Sequence, residues 1–230
     1  MSRPWPMSRL LDEVIARCGL ERPDRIEDGA LIYRDGGIRH TLHVGKDKHN
    51  KQLFGWSVES ADEKYHELIR VPIWRPRREA HPLSGDPRGR DRYFWPRTGE
   101  DLDPDAVHEI ARYGRPAVSF VRDRADLGRL LLSADDVHRG PVWGKLPPGE
   151  SEAIRLVNAV IIARDSGDAD LEAAAMAKLA GEGDRDVSWA PGHPYLFRDA
   201  VADHAKKVAG RVDVDLSDLI PKSPRRARRR

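Results

Sequence analysis

The sequence predicts an α+β fold: an N-terminal helix with a small antiparallel sheet of three to four strands, then a helical C-terminal half and a disordered basic tail. Three observations carry that class. Apolar residues recur at helical spacing over 7–19, period-two alternation runs on both sides of a polar turn over 38–59, and helical spacing returns after residue 103. A chain of 230 residues has room for one α+β domain and an extension. The reading divides it into an α+β domain at 1–139, a helical extension packed on it at 140–221, and a disordered tail at 222–230.

In Met7–Gly19 the residues Leu10, Leu11, Val14, Ile15 and Cys18 form an amphipathic stripe, with Ser8 placed to cap the start and Gly19 to stop the helix. Gly29–Asp35 reads as a short strand, and Asp35-Gly36-Gly37 as the turn after it. The next strand puts Ile38, His40, Leu42 and Val44 on one face and Arg39, Thr41 and His43 on the other. Phe54, Trp56 and Val58 give the apolar face of a third strand. Leu68–Trp74 is a candidate fourth, confined to an edge because Pro72 has no N–H to donate.

Arg75–Arg92 is rich in Pro, Gly and Arg and reads as a long loop, followed by the aromatics Tyr93, Phe94 and Trp95. Asp103-Pro104 opens a helix over Asp105–Tyr113 that Gly114 is expected to end. Further helices are expected over Asp123–Ser133, Ser151–Ser166, Asp168–Gly181 and Pro194–Gly210, with Gly140–Gly149 as a linker.

Composition narrows the function classes. The net charge is +2, yet Lys222–Arg230 holds six basic residues and no acid, which leaves a net −4 on Met1–Pro221. A uniformly basic nucleic-acid binder does not look like that. No apolar run approaches the roughly 20 residues that span a bilayer, so no membrane association is expected. The N-terminus lacks the apolar core of a signal peptide, and Cys18 is the single cysteine, so the expected location is the cytoplasm.

The histidines are the first candidates for chemistry. His40, His43 and His49 with Asp47 have a zinc-like composition, but residues three apart on a strand face opposite ways. No HExxH, paired CxxC, GxSxG or phosphate-cradling glycine loop occurs, so no metal, cofactor or catalytic residue is assigned. Asp62-Glu63-Lys64 with Glu59 is a poor match to a metal-dependent nuclease. An enzyme of unrecognised type would need a pocket that gathers several of His40, Glu59, His66 and His108.

The segment 70–97 supports a nucleic-acid alternative. Trp74, Arg75, Arg77, Arg78, Arg88, Arg90, Arg92 and Trp95 interleave guanidinium groups for phosphates with rings for stacked bases. The tail Lys222–Arg230 would add nonspecific attraction to nucleic acid.

In order, the helix Leu10–Gly19, the strand Ala30–Tyr33 and the pair Ile38–Val44 and Phe54–Val58 precede an aromatic cluster, Tyr93–Trp95. Then come the helix Ala106–Tyr113, the exit Tyr113-Gly114-Arg115-Pro116 and the Leu-rich helix Asp126–Leu132. Over Met7–Ser133 this order resembles a large, mostly bacterial family known only as domain of unknown function number 4304. The chain departs from that pattern in its Arg-rich loop and at Gly45–Asn50, where the family has a polar segment. The resemblance implies the fold and supplies no catalytic residues. With it, the sequence is read first as a non-enzymatic bacterial interaction protein, of immunity or accessory type, with a protein partner docked on its helical hairpin.

Overall fold

The computed structural model describes residues 5–46, 54–73, 102–133, 137–140, 142–144, 150–188 and 195–221. The chain forms two compact units, Met1–Arg124 with Asp135–Lys145, and Ala125–Ala134 with Leu146–Arg230.

The first unit opens with helix α1, Met7–Arg17, whose Leu10, Leu11 and Val14 are buried as the stripe requires. Its start differs from expectation. Pro6, not Ser8, occupies the cap position, and the Pro6 carbonyl accepts from the Leu10 N–H at 3.2 Å. Proline's fixed φ already suits the entry to a helix, so Ser8 falls inside the first turn. Gly19 ends the segment at φ +63°, as its lack of a Cβ allows.

Five strands follow, where three to four were expected. They are β1 (Arg25–Glu27), β2 (Ala30–Asp35), β3 (Ile38–Lys46), β4 (Phe54–Asp62) and β5 (Arg70–Ile73). Each pairs antiparallel with the next, in the order β1-β2-β3-β4-β5. The extra strand, β1, is too short for alternation to show. It is created by the two-residue turn Asp28-Gly29, where both residues have positive φ, +41° and +87°. The edge strand β5 carries Pro72 opposite Glu59, as its missing N–H demands. Gly36 and Gly37 turn the chain at φ +54° and +76°, and a Cβ on Gly36 would lie 2.3 Å from the Arg122 carbonyl oxygen. No side chain fits there.

One face of the sheet is core. The cross-strand row Leu31–Leu42–Val58–Ile73 and the pair Val44–Trp56 are all 4% exposed or less. Helix α2 (Pro104–Glu109) begins as expected, with the Asp103 carboxylate accepting from the Asp105 N–H at 2.8 Å. Gly114, however, is no stop. It keeps helical φ/ψ, and the chain runs through a π-helical turn, Ile110–Gly114, into α3, Arg115–Ala117. Pro116 cannot donate to a carbonyl one turn back, and a widened turn just before it relieves the mismatch. A Cβ on Gly114 would lie 3.1 Å from Ile110 Cγ2, a tight contact within the turn, and at ordinary contact distance, 3.5 and 3.7 Å, from Leu42 Cδ1 and Trp56 Cζ3. The expected linker at Gly140 is also structured in part. Gly140, at φ +58°, turns β6 (Val137–Arg139) into β7 (Val142–Gly144), which lies beside β5.

The second unit is helical. It comprises α4 (Arg124–Leu132) from Ala125 onward, α5 (Glu150–Ser166), α6 (Ala169–Gly181) and α7 (Phe197–Val208). Helix α5 packs against both α6 and α7. Its Leu156, Val157, Val160, Ile161 and Ile162 are at most 1% exposed, and the polar Arg155 and Asn158 are buried with them, so its middle turns are enclosed on every side. Gly167, at φ +69°, ends it, and Asp168 starts α6 by accepting from the Leu171 N–H at 3.0 Å. The last carbonyls of α4 have no intrahelical donors, and two cations supply them. Arg155 donates to Leu131 and Ser133, both at 2.6 Å, and Lys178 to Leu132 at 2.5 Å. Arg164 grips Asp218 with two nitrogens, at 2.9 and 2.8 Å, and Glu172 at 2.7 Å, which pins the last described segment.

The closest helix contact is at Gly128, where a Cβ would lie 2.4 Å from Leu171 Cδ2. Gly128→Ala therefore sets overpacking, about 1–3 kcal/mol, against a helix-propensity gain of about 1 kcal/mol. A net loss of about 1 kcal/mol is expected in urea unfolding. Gly181→Ala, with open space around the site, should shift the midpoint the other way.

Candidate functional site

The other face of the sheet carries charge. Strand register aligns Glu27, Ala30, His43 and Ser57 in one cross-strand row, Ile32, Thr41, Glu59 and Pro72 in the next, and Arg34, Arg39, Ala61 and Arg70 in a third. Small residues at the centre of these rows leave a hollow of about 270 Å³. Its floor is Ala30, Ile32, Thr41 and Ala61, all buried, and long charged side chains stand around it.

The β4–β5 connection raises one wall. Asp62, fully buried, accepts from the Tyr65 N–H at 2.8 Å and from Arg124 Nε at 2.6 Å. The Tyr65 carbonyl in turn accepts from the N–H groups of Leu68 and Ile69, at 2.8 and 2.9 Å. The tight turn so formed holds His66 and Glu67 at the rim, 3.0 Å apart between Nε2 and Oε1.

Glu59 stands at the centre of the face. Its Oε1 is 3.8 Å from His43 Nε2 and 3.8 Å from Arg70 Nη1. Across the sheet Arg39 Nη2 is 3.6 Å from Glu27 Oε2, and Arg25 pairs with the same Glu27. The Arg70–Glu59 and Arg39–Glu27 ion pairs and the His43–Glu59 contact are all too long to be hydrogen bonds, so their donors keep capacity for a further acceptor. His43 is the main influence holding the Glu59 carboxyl below its usual range; burial opposes it, and Arg70 and Arg39 add to it. The carboxylate stays ionised near neutral pH.

Of the four groups that an unrecognised enzyme site would gather, Glu59 and His66 do meet at this hollow, and His43 joins them. His40 and His108 do not. His40 points into the core, 2% exposed, with Nδ1 3.0 Å from the buried Ser60 Oγ. Burial pushes its pKa down to about 4, with Asp35 working the other way. His108 is exposed on α2. The separation of His40 from His43 is the one strand geometry requires. Burial also pushes the Cys18 thiol up to about 11, the inert behaviour expected of a buried cysteine.

His49, Asp47 and the nucleic-acid candidates Trp74, Arg75, Arg77, Arg78, Arg88, Arg90, Arg92 and Trp95 lie outside the described residues, as does the tail Lys222–Arg230. Among the described residues no group of three or more His, Cys, Asp or Glu is placed to hold a metal ion, and no helix is long and apolar enough to cross a membrane. Sequence reasoning put Arg39, Thr41 and His43 on one face but did not join them to Arg70. The missing signal is register, which alternation alone does not supply. Comparisons with protein-family models, curated proteins and solved structures give no match.

Proposed function

We propose that the chain is a non-enzymatic interaction protein that meets its partner through the charged face of the five-stranded sheet. The observation that carries this reading is the central Glu59, held ionised between His43 and Arg70 and flanked by Arg39 and Glu27. An ionised carboxylate beside the loosely paired Arg70 and Arg39 is an anchor for complementary charge rather than a proton donor. The resemblance to the bacterial family of unknown function fits the same reading.

The test is affinity capture from the organism of origin with the full chain, followed by measured binding of whatever is recovered. A specific protein should bind the unaltered chain and bind the Arg70→Glu variant at least about tenfold more weakly, a loss of about 1.4 kcal/mol. Recovery of no specific protein, or equal binding by both forms, overturns the reading.

A second reading has one observation behind it. The His43–Glu59 pair beside His66 is an imidazole–carboxylate arrangement that could work as an acid/base couple. Turnover of a screened substrate that is lost in His43→Gln, with folding intact, would favour that reading. The nucleic-acid alternative predicts salt-sensitive binding that survives deletion of Lys222–Arg230.

A further inference from the structure

The hollow on the charged sheet face has a size and a charge pattern that define a class of ligand. Its volume, about 270 Å³, lies just below the range of roughly 300–1,000 Å³ found for drug-sized ligands. Charges of both signs border it, and the floor between them is small and largely apolar.

Register sets the spacing. Arg39, Ala61 and Arg70 sit side by side on β3, β4 and β5, so the two arginines start about 10 Å apart, two strand spacings, with only a methyl group between them. Their side chains can close on one carboxylate above Ala61. One row along the sheet, Thr41 faces Glu59, and the row beyond holds Glu27 and Ala30. Asp28, in the β1–β2 turn, adds a further carboxylate to the rim. A positive group bound there would meet Glu59 from one side and Glu27 or Asp28 from the other. Ala30, 8% exposed in the floor, offers apolar contact to a short aliphatic chain.

We infer that the hollow binds a small zwitterion of the free amino-acid type, its carboxylate between Arg39 and Arg70 and its ammonium group at Glu59. The ion pairs at 3.6–3.8 Å leave room for this, because each already lacks a hydrogen bond that the ligand can supply. The inference rests on the reading that this face binds rather than catalyses, and it adds a small occupant beneath any protein partner.

The test is ligand-induced thermal shift and calorimetry on the full chain, with a pool of free L-amino acids, then with its members singly. Two capped sets serve as arms: N-acetyl amino acids, which lack the ammonium group, and amino-acid amides, which lack the carboxylate. At least one free amino acid should raise the unfolding midpoint, and both of its capped forms should bind at least about tenfold more weakly. Arg70→Met should erase the preference for the free acid over the amide. Glu59→Gln should erase the preference for the free amine over the N-acetyl form. Both side chains are partly in water, and the unliganded midpoint shows whether each variant still folds. No shift with any free amino acid, equal binding of the capped forms, or insensitivity to both substitutions overturns the inference. Partner capture that depends on Arg70, together with no amino-acid shift, would overturn this inference alone. A shift without capture would overturn only the protein-partner reading.

Discussion

Trp56→Ala is expected to lower the unfolding free energy by about 3–5 kcal/mol. Trp56 is 3% exposed, pairs with Val44 across the strands, and lies beneath the glycine that brings the π-helical turn against the core. Removing the indole leaves a void that neither the sheet nor this close-fitting turn can fill. Urea unfolding followed by far-ultraviolet circular dichroism gives the measurement. A midpoint within experimental error of the unaltered chain would show that Trp56 is not part of the core. Ile26→Ala is the natural control, because Ile26 is 49% exposed and its truncation removes little buried surface.

Acid should weaken the fold through His40, by about 3 kcal/mol between pH 6.5 and 4. The sign follows from burial. Its folded pKa, about 4, lies below the ordinary value of 6.5, so the unfolded chain takes up the proton first. The full stability contribution is present above pH 6.5, falls as the pH drops, and is gone by about pH 4. Glu59 and Asp218, whose carboxyls are held below their usual range, add a further loss at lower pH. Unfolding free energy measured across this range should show the slope for the unaltered chain. His40→Gln keeps a polar partner for Ser60 but cannot take up a proton, and should reduce the slope above about pH 4.5, leaving what His204, whose pKa burial and then Lys207 also lower, contributes. An unchanged slope would place the titrating group elsewhere.

Much of the fold was legible because local rules and tertiary packing agree in those places. The α1 stripe, the Gly36-Gly37 turn and the alternation along β3 each specify one arrangement, and the structure adopts it. What escaped notice did so for physical reasons. Strand β1 has three residues, fewer than a period-two pattern needs. Gly114 looks like a helix stop because glycine often is one, yet here it keeps helical φ/ψ and lies buried in the π-helical turn, in contact range of Leu42 and Trp56. The buried pair of Asp62 and Arg124 joins residues far apart in sequence, and nothing in either neighbourhood announces the other. The candidate site was half visible. Alternation placed Arg39, Thr41 and His43 together, but which acids and bases they meet depends on how β3, β4 and β5 register, and that is a property of the assembled sheet.

Helix α5 has a consequence for how the chain reaches this state. Residues 155–163 of it are all buried, unlike α7, whose exposed Arg198 and Asp199 flank a single buried side. During synthesis it leaves the ribosome before α6 and α7, the helices it packs against, have been made. For that interval a full turn of Leu, Val and Ile is open to any other apolar surface in the cell. At 5–20 residues per second the roughly forty residues from the end of α5 to the end of α7 take on the order of several seconds to appear. Over that window the Leu, Val and Ile side chains of α5 are surface that α6 and α7 have yet to cover.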